Sequence, residues 1–217
     1  MSTILGLINF DGNINTKQLS EKAKIEIKSR PGKLSIKLDN KSFHINSCIH
    51  CDENQENNNL FEDNDNYLIN FDGRIDNNEV FKHFIDDSEL NSDAANVLML
   101  FKYNRSKISE LSGCFAFVIY NKKTQLVEAY RDQIGIRPLY FFYNKKYFIY
   151  STDPEIIFID SLVKKEINQN KIIYYILKGN RYNEETFYKN IYRLRRSNFL
   201  RVWNENIEIR EYYSFTN

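Results

Sequence analysis

Residues 111–150, LSGCFAFVIYNKKTQLVEAYRDQIGIRPLYFFYNKKYFIY, limit the fold more than any other stretch of this chain. Residues 114–120 form an aromatic and β-branched run, 121–124 carry turn chemistry, and 125–130 continue as a second strand. The pattern is a hairpin. After Arg131-Asp132 comes a segment in which Gly135 permits backbone angles barred to other residues and Pro138 fixes φ. Residues 139–143 and 146–151 then form a second hairpin across Asn144-Lys145. Two hairpins in series predict antiparallel sheet with one irregular connection inside it.

Composition bounds what such a sheet can belong to. With 217 residues, 42% hydrophobic and 15% aromatic, the chain can bury a sizeable core, and one domain over residues 1–217 is the simplest organisation. The 30 basic and 29 acidic residues nearly cancel, so no general electrostatic reason points to nucleic acid or an anionic membrane as partner. No apolar run approaches the roughly 20 residues needed to span a bilayer, and no basic segment followed by an apolar one opens the chain. Three cysteines make no disulfide framework, so a cytoplasmic protein is expected.

The first strand is expected over residues 4–10, closed by Asp11-Gly12, followed by a helix over 17–29 that Arg30-Pro31-Gly32 ends. Strands are expected at 34–38 and 42–49. Residues 52–66, with only Leu60 and Phe61 apolar, read as a mobile acidic loop. A short strand at 67–71 is expected to end at Asp72-Gly73, before a helix with Val80, Phe81, Phe84 and Ile85 on one face. Either Ser92 or Asp93 can cap the next helix, whose stripe is Ala94, Val97, Leu98 and Phe101. Asp153-Pro154 starts a further helix, and Asn168 or Asn170 another ending at Lys178-Gly179. A last hairpin spans 198–213.

The ordered series GLINFDG (6–12), LINFDGRIDN (68–77), Ser92-Asp93, LSGCFAF (111–117), RDQIGIRPLY (131–140), Ser151 to Asp153, ETFYKNIYRL (185–194) and Tyr212-Tyr213 resembles the class II glutamine amidotransferase domain of asparagine synthetases. Domains of this kind also occur in β-lactam synthetases and lasso-peptide cyclases. The resemblance covers almost the whole chain. It implies an α+β fold of the N-terminal-nucleophile type, with four layers in αββα order: two packed antiparallel sheets flanked by helices. It also implies a partner, an ATP-dependent synthetase domain or subunit; a homodimer is a further option. No SGGxDS-like nucleotide motif is present, so ATP and magnesium are expected only in that partner, with no cofactor in this domain.

The chemistry of glutamine hydrolysis allows the resemblance to be taken residue by residue. The family's nucleophile is a thiol directly after the initiating Met, where this chain has Ser2, a far weaker nucleophile at neutral pH. Its oxyanion hole is an Asn side chain and a Gly amide in an NGE sequence, where this chain has Asp72, Gly73 and Arg74. Loss of the Asn donor costs on the order of 3 kcal/mol of transition-state stabilisation, and an ionised Asp72 adds repulsion. The family's carboxylate-gripping Arg falls near Asn46 or Ser47, and neither is cationic. Only Asp93 matches the family's ligand for the α-amino group of glutamine. The glutaminase site is therefore read as lost.

Simpler roles stand beside these. Ser2 is either an active nucleophile of an amide hydrolase or a small residue that favours Met removal. Asp72 can belong to an Asp-Gly turn, and Asp93 can be a helix cap. Arg131, Asp132, Gly135, Arg137 and Pro138 form the best-matched motif, and an Arg-Asp pair there suits bracing of buried backbone better than catalysis. Cys48 and Cys51 make a CxxC around His50, with His44 upstream, but no second ligand half accompanies them; Cys114 lies in a strand as a small apolar residue, and no metal site is expected. Two functions follow: a non-catalytic domain docked on a synthetase, or a small hydrolase using Ser2.

Overall fold

A computed structural model describes residues 3–28, 32–48, 59–63, 65–82, 92–159, 162–179, 184–203 and 205–215. The chain runs through β1 (Thr3–Asn9), α1 (Thr16–Lys28), β2 (Lys33–Leu38), β3 (Ser42–Cys48), β4 (Leu60–Glu62), β5 (Tyr67–Ile75), α2 (Asp93–Asn104), β6 (Gly113–Asn121), β7 (Leu126–Arg131), β8 (Tyr140–Tyr143), β9 (Tyr147–Ser151), α3 (Gln169–Lys178), β10 (Tyr192–Arg193), β11 (Asn198–Trp203) and β12 (Asn206–Glu211). These strands make two antiparallel sheets, ordered β10-β8-β9-β1-β3-β2 and β12-β11-β7-β6-β5-β4.

Alternation along the strands sorts side chains between the two faces of each sheet. Ile4 and Ile8 of β1 and Phe148 and Tyr150 of β9 meet Val118 of β6, Val127 of β7 and Leu200 of β11 in the core between the sheets. The opposite face of the first sheet, with Leu5, Leu7, Phe43 and Ile149, is covered by Leu19, Ala23 and Ile27 of α1, spaced one helical turn apart. The opposite face of the second sheet, with Phe71, Phe117 and Tyr130, is covered by Ala94, Val97, Leu98 and Phe101 of α2. The layers are helix, sheet, sheet, helix, an α+β architecture. Full burial of a single large apolar side chain contributes roughly 1.5–3 kcal/mol, so these three clusters supply most of the favourable free energy.

Both hairpins of residues 111–151 form, but in different sheets: β6 pairs with β7 in the second sheet and β8 with β9 in the first. The irregular RDQIGIRPLY segment is thus the crossing from one sheet to the other. At the ends of α2 and α3, local chemistry acts as the sequence suggests. Ser92, rather than Asp93, caps α2 by accepting from the Ala95 amide at 3.3 Å, and Asn168 caps α3 by accepting from Lys171 at 3.1 Å. Gly179 ends α3 with φ of 72°.

Three expectations are corrected, and a fourth falls partly outside the described residues. Asp72-Gly73 is no turn: β5 continues to Ile75, with Asp72 opposite Ala116 and Gly73 opposite Phe115 of β6. Long-range pairing overrides the local Asp-Gly preference. The acidic stretch contains a strand, β4, which pairs with β5 through Leu60 to Glu62, its only apolar residues included. Asp153-Pro154 starts a single 3-10 turn, Pro154–Ile157, rather than a longer helix; Ile156 and Ile157 are buried there against the first sheet. Val80 ends another 3-10 turn, Asn78–Val80, while Phe84 and Ile85 lie outside the described residues.

Candidate functional site

Two strands, one in each sheet, carry polar residues at alternate positions of otherwise apolar runs. In β3 these are His44 and Asn46, and in β5 they are Asn70 and Asp72. Alternation turns all four toward the space between the sheets, and all are buried. Asn46 Nδ2 donates to Asn70 Oδ1 at 3.0 Å and to the Phe71 carbonyl at 2.8 Å. Asn70 Nδ2 lies 3.1 Å from the Ile45 carbonyl and 3.1 Å from the Tyr150 hydroxyl. That hydroxyl is 2.7 Å from His44 Nδ1. The cluster joins the sheets through polar contacts where the surrounding core is apolar.

Burial sets the protonation of this cluster. Removal from water disfavours charge, so His44 is pushed down from 6.5 to about 3 and stays neutral near pH 7. The same cause raises the Tyr150 hydroxyl above its ordinary value, so it remains a neutral hydrogen-bonding group. Tyr150 also explains Gly6 of β1, because a Cβ there would stand 2.4 Å from the tyrosine ring.

Asp72 closes the β5 row. Its carboxylate is buried and Oδ1 stands 4.0 Å from Arg137 Nη1, at the end of the crossing segment. Arg74, two residues on, is turned outward and donates from Nε to Asp76 at 2.6 Å. Gly73 has φ of 141°, and a Cβ on it would meet the Cys114 carbonyl oxygen at 2.0 Å. Asp93 reaches β5 from α2: Oδ2 accepts from the Ile75 amide at 2.9 Å. Burial raises the Asp93 carboxyl above its ordinary value, and the Ile75 amide partly offsets that.

The crossing segment is held by its own charged pair. Asp132, fully buried, accepts from the amides of Ile134 at 3.1 Å, Ile136 at 3.0 Å and Arg137 at 3.0 Å, and from that of Gly135. Arg131 donates to the carbonyls of Arg137 at 2.6 Å, Leu194 at 2.6 Å and Gly135 at 2.7 Å. Pro138, which has no amide proton to satisfy, follows directly. These contacts satisfy backbone groups that would otherwise be costly to bury.

The tertiary structure thus brings Asn46, Asp72 and Arg137 to one end of the inter-sheet space. Gly73 and Asp93 serve the α2 side of β5. Ser47 pairs with Thr3 of β1, and Ser2 lies outside the described residues. Cys48 ends β3 in a buried position, with its sulfur 3.6 Å from Asn59 Nδ2; His50 and Cys51 lie outside the described residues. Among the described residues no three His, Cys, Asp or Glu side chains are placed to hold a metal ion, and no helix is long and apolar enough to cross a membrane. Asn70 and Tyr150 were not singled out from sequence. For Asn70 the signal was the i, i+2 polar pair that it makes with Asp72 in β5; Tyr150 in β9 carries no such signal.

Comparison with known proteins places this geometry. The glutamine amidotransferase domain model matches residues 1–213. A Methanocaldococcus jannaschii protein assigned by name as a glutamine-hydrolysing asparagine synthetase, number 2, is 30% identical over 150 residues, covering 67% of this chain and 29% of its own length. A second such protein from that organism, number 1, is 31% identical over 75 residues, 35% of this chain and 14% of its own. The chain therefore spans less than a third of the length of these relatives. Among solved structures, the glutamine phosphoribosylpyrophosphate amidotransferase of B. subtilis, complexed with ADP and GMP, superposes over 99% of this chain and 50% of its own with a TM-score of 0.64 at 12% identity, a likeness of fold. The model match over nearly all residues, joined to this two-sheet architecture, shows that the chain belongs to the glutamine amidotransferase domain family.

Proposed function

We propose that this chain is a glutaminase-like domain without glutaminase activity, acting as a structural and docking unit for an ATP-dependent amide-forming synthetase of the asparagine, β-lactam or lasso-peptide type. The observation that carries this reading is Asp72, buried on the inner face of β5 beside Arg137. Hydrolysis of an amide builds negative charge on the carbonyl oxygen, which needs a donor aimed at it. An ionised carboxylate only accepts hydrogen bonds. A neighbouring guanidinium already facing that carboxylate does not turn it into a donor. Ser2 in place of a thiol weakens attack independently.

The docking half of the reading is supported by the relatives, which bear asparagine synthetase names and are more than three times as long as the matched segment. On this reading the domain needs no cofactor, ATP and magnesium act in the synthetase part, and the assembly works in the cytoplasm. Ammonia release from glutamine by the parent and by Ser2→Ala is the test, together with affinity capture of a co-expressed synthetase. The expected result is no release from either protein and retention of the synthetase. Ammonia release that disappears in Ser2→Ala would overturn the reading in favour of a hydrolase.

A further inference from the structure

The space between the sheets has a second end, away from Asp72: β6 carries Ala116 opposite Asp72 and, at its other terminus, turns through residues 122–125 into β7. Residues from four turns meet there. Phe10 and Asp11 follow β1, Gln125 precedes β7, Lys145 and Lys146 join β8 to β9, and Glu205 lies between β11 and β12. Together they line an open cleft of about 560 Å³, a volume typical of small-molecule sites. Phe10 gives the cleft an apolar piece of wall and packs, with Tyr143 of β8, on the inter-sheet core.

Two polar atoms at this end, Gln125 Nε2 and the Tyr143 hydroxyl, are buried without a hydrogen-bond partner among the described residues. Burial, and then the charge of Glu205, raise that hydroxyl above its ordinary value, so it stays a neutral donor within range of the rim. A buried amide or hydroxyl left unpaired is costly, so both call for an acceptor from outside the chain. The rim carries two charges of each sign, Lys145 and Lys146 against Asp11 and Glu205. Among the described residues none of the four is in an ion pair, and Asp11 accepts from the Asn13 amide at 3.1 Å. Opposite charges around one cleft that do not neutralise each other fit a molecule carrying both an ammonium and a carboxylate. Its carbonyl or carboxylate oxygens supply acceptors for the Gln125 amide and the Tyr143 hydroxyl, which both donate.

We propose that this cleft binds an amino-acid zwitterion, free or as a short peptide. The proposal stands apart from the docking role above and survives its failure. Calorimetric titration of the full chain with L-leucine, triglycine and N-acetyl-L-leucinamide tests it, the last lacking both end charges. Leucine or triglycine is expected to saturate one site, and the blocked analogue to bind at least about tenfold more weakly. Tighter leucine points to free amino acids as the source, tighter triglycine to peptides. Tyr143→Phe, which keeps the ring, and Gln125→Ala are each expected to weaken binding about fivefold, with circular dichroism as the check of folding. Lys107→Ala, in a surface pair with Glu110 outside the cleft, is expected to bind as the parent does. No saturation by leucine or triglycine overturns the proposal and leaves these groups to solvent alone. Equal affinity for the blocked analogue, or unchanged affinity in both wall variants, overturns it as well.

Discussion

Asp72 and Arg137 face each other at 4.0 Å, linking β5 of one sheet to the segment that crosses to the other. Asp72 is almost wholly buried and Arg137 is partly exposed. Removing one member of a buried pair strands the other's charge, while solvent reaching Arg137 screens part of that cost. Asp72→Ala is expected to destabilise the fold by about 1–3 kcal/mol. Urea unfolding measures it, and a loss below the error of the midpoint would show that the pair adds nothing. Asp72→Asn combined with Ser2→Cys supplies a donor and a thiol, so it is the variant in which any recoverable ammonia release should first be seen.

Arg131 and Asp132 hold the crossing in shape through seven contacts to backbone groups. Arg131→Ala leaves three carbonyls without these donors, an expected loss of about 3–5 kcal/mol. Asp132→Asn replaces one accepting oxygen by a donor aimed at amides, and about 2–4 kcal/mol is expected. Thermal melting should show both variants shifted far below the parent. An unchanged midpoint for either would mean the loop finds its shape without that side chain.

Gly73 gives a backbone test. At φ of 141°, with the Cys114 carbonyl and Phe115 Cα within 2.7 Å of where a Cβ would sit, alanine is both strained and overpacked. Gly73→Ala should cost more than about 2 kcal/mol or block folding. Gly12→Ala, where nothing lies within 4 Å, serves as the control for positive φ alone.

His44 makes stability depend on pH. Its folded value near 3 lies below the ordinary 6.5, so between those limits the unfolded chain binds the proton and the folded one does not. Stability from this group is complete above about pH 6.5 and is lost as pH falls toward 3, with a slope of at most about 1.4 kcal/mol per pH unit. His44→Gln keeps a polar partner for Tyr150 and cannot titrate. Unfolding curves from pH 7 to pH 4 should diverge between parent and variant, the parent losing more. Parallel curves would contradict a buried neutral imidazole.

Much of the fold was legible because it is local. The hairpin at 121–124 follows from Asn121, whose side chain accepts from the Lys123 and Thr124 amides at 2.9 and 3.0 Å. The helical composition of 17–29, the stripe of α2 and the Gly179 stop are likewise set within a few residues of chain, whereas the cap of α3 stayed open between Asn168 and Asn170. Family membership was readable as well, since it rests on the order of short motifs. The candidate site was legible only in part: Asp72 and Asp93 were singled out, but with an Asp-Gly turn and a helix cap kept open for them.

By itself the sequence determined that residues 111–151 form two hairpins and that Asp72, rather than an amide, follows Phe71. Tertiary structure alone decided that the hairpins enter different sheets, that Asp72-Gly73 runs straight through a strand, and that His44, Asn70 and Tyr150 meet, buried, between the sheets. The reason is range. Turn and cap chemistry acts between near neighbours. The contact between Asn70 and Tyr150 closes 80 residues of chain, and the contact between His44 and Tyr150 closes 106, so both exist only when the two sheets pack.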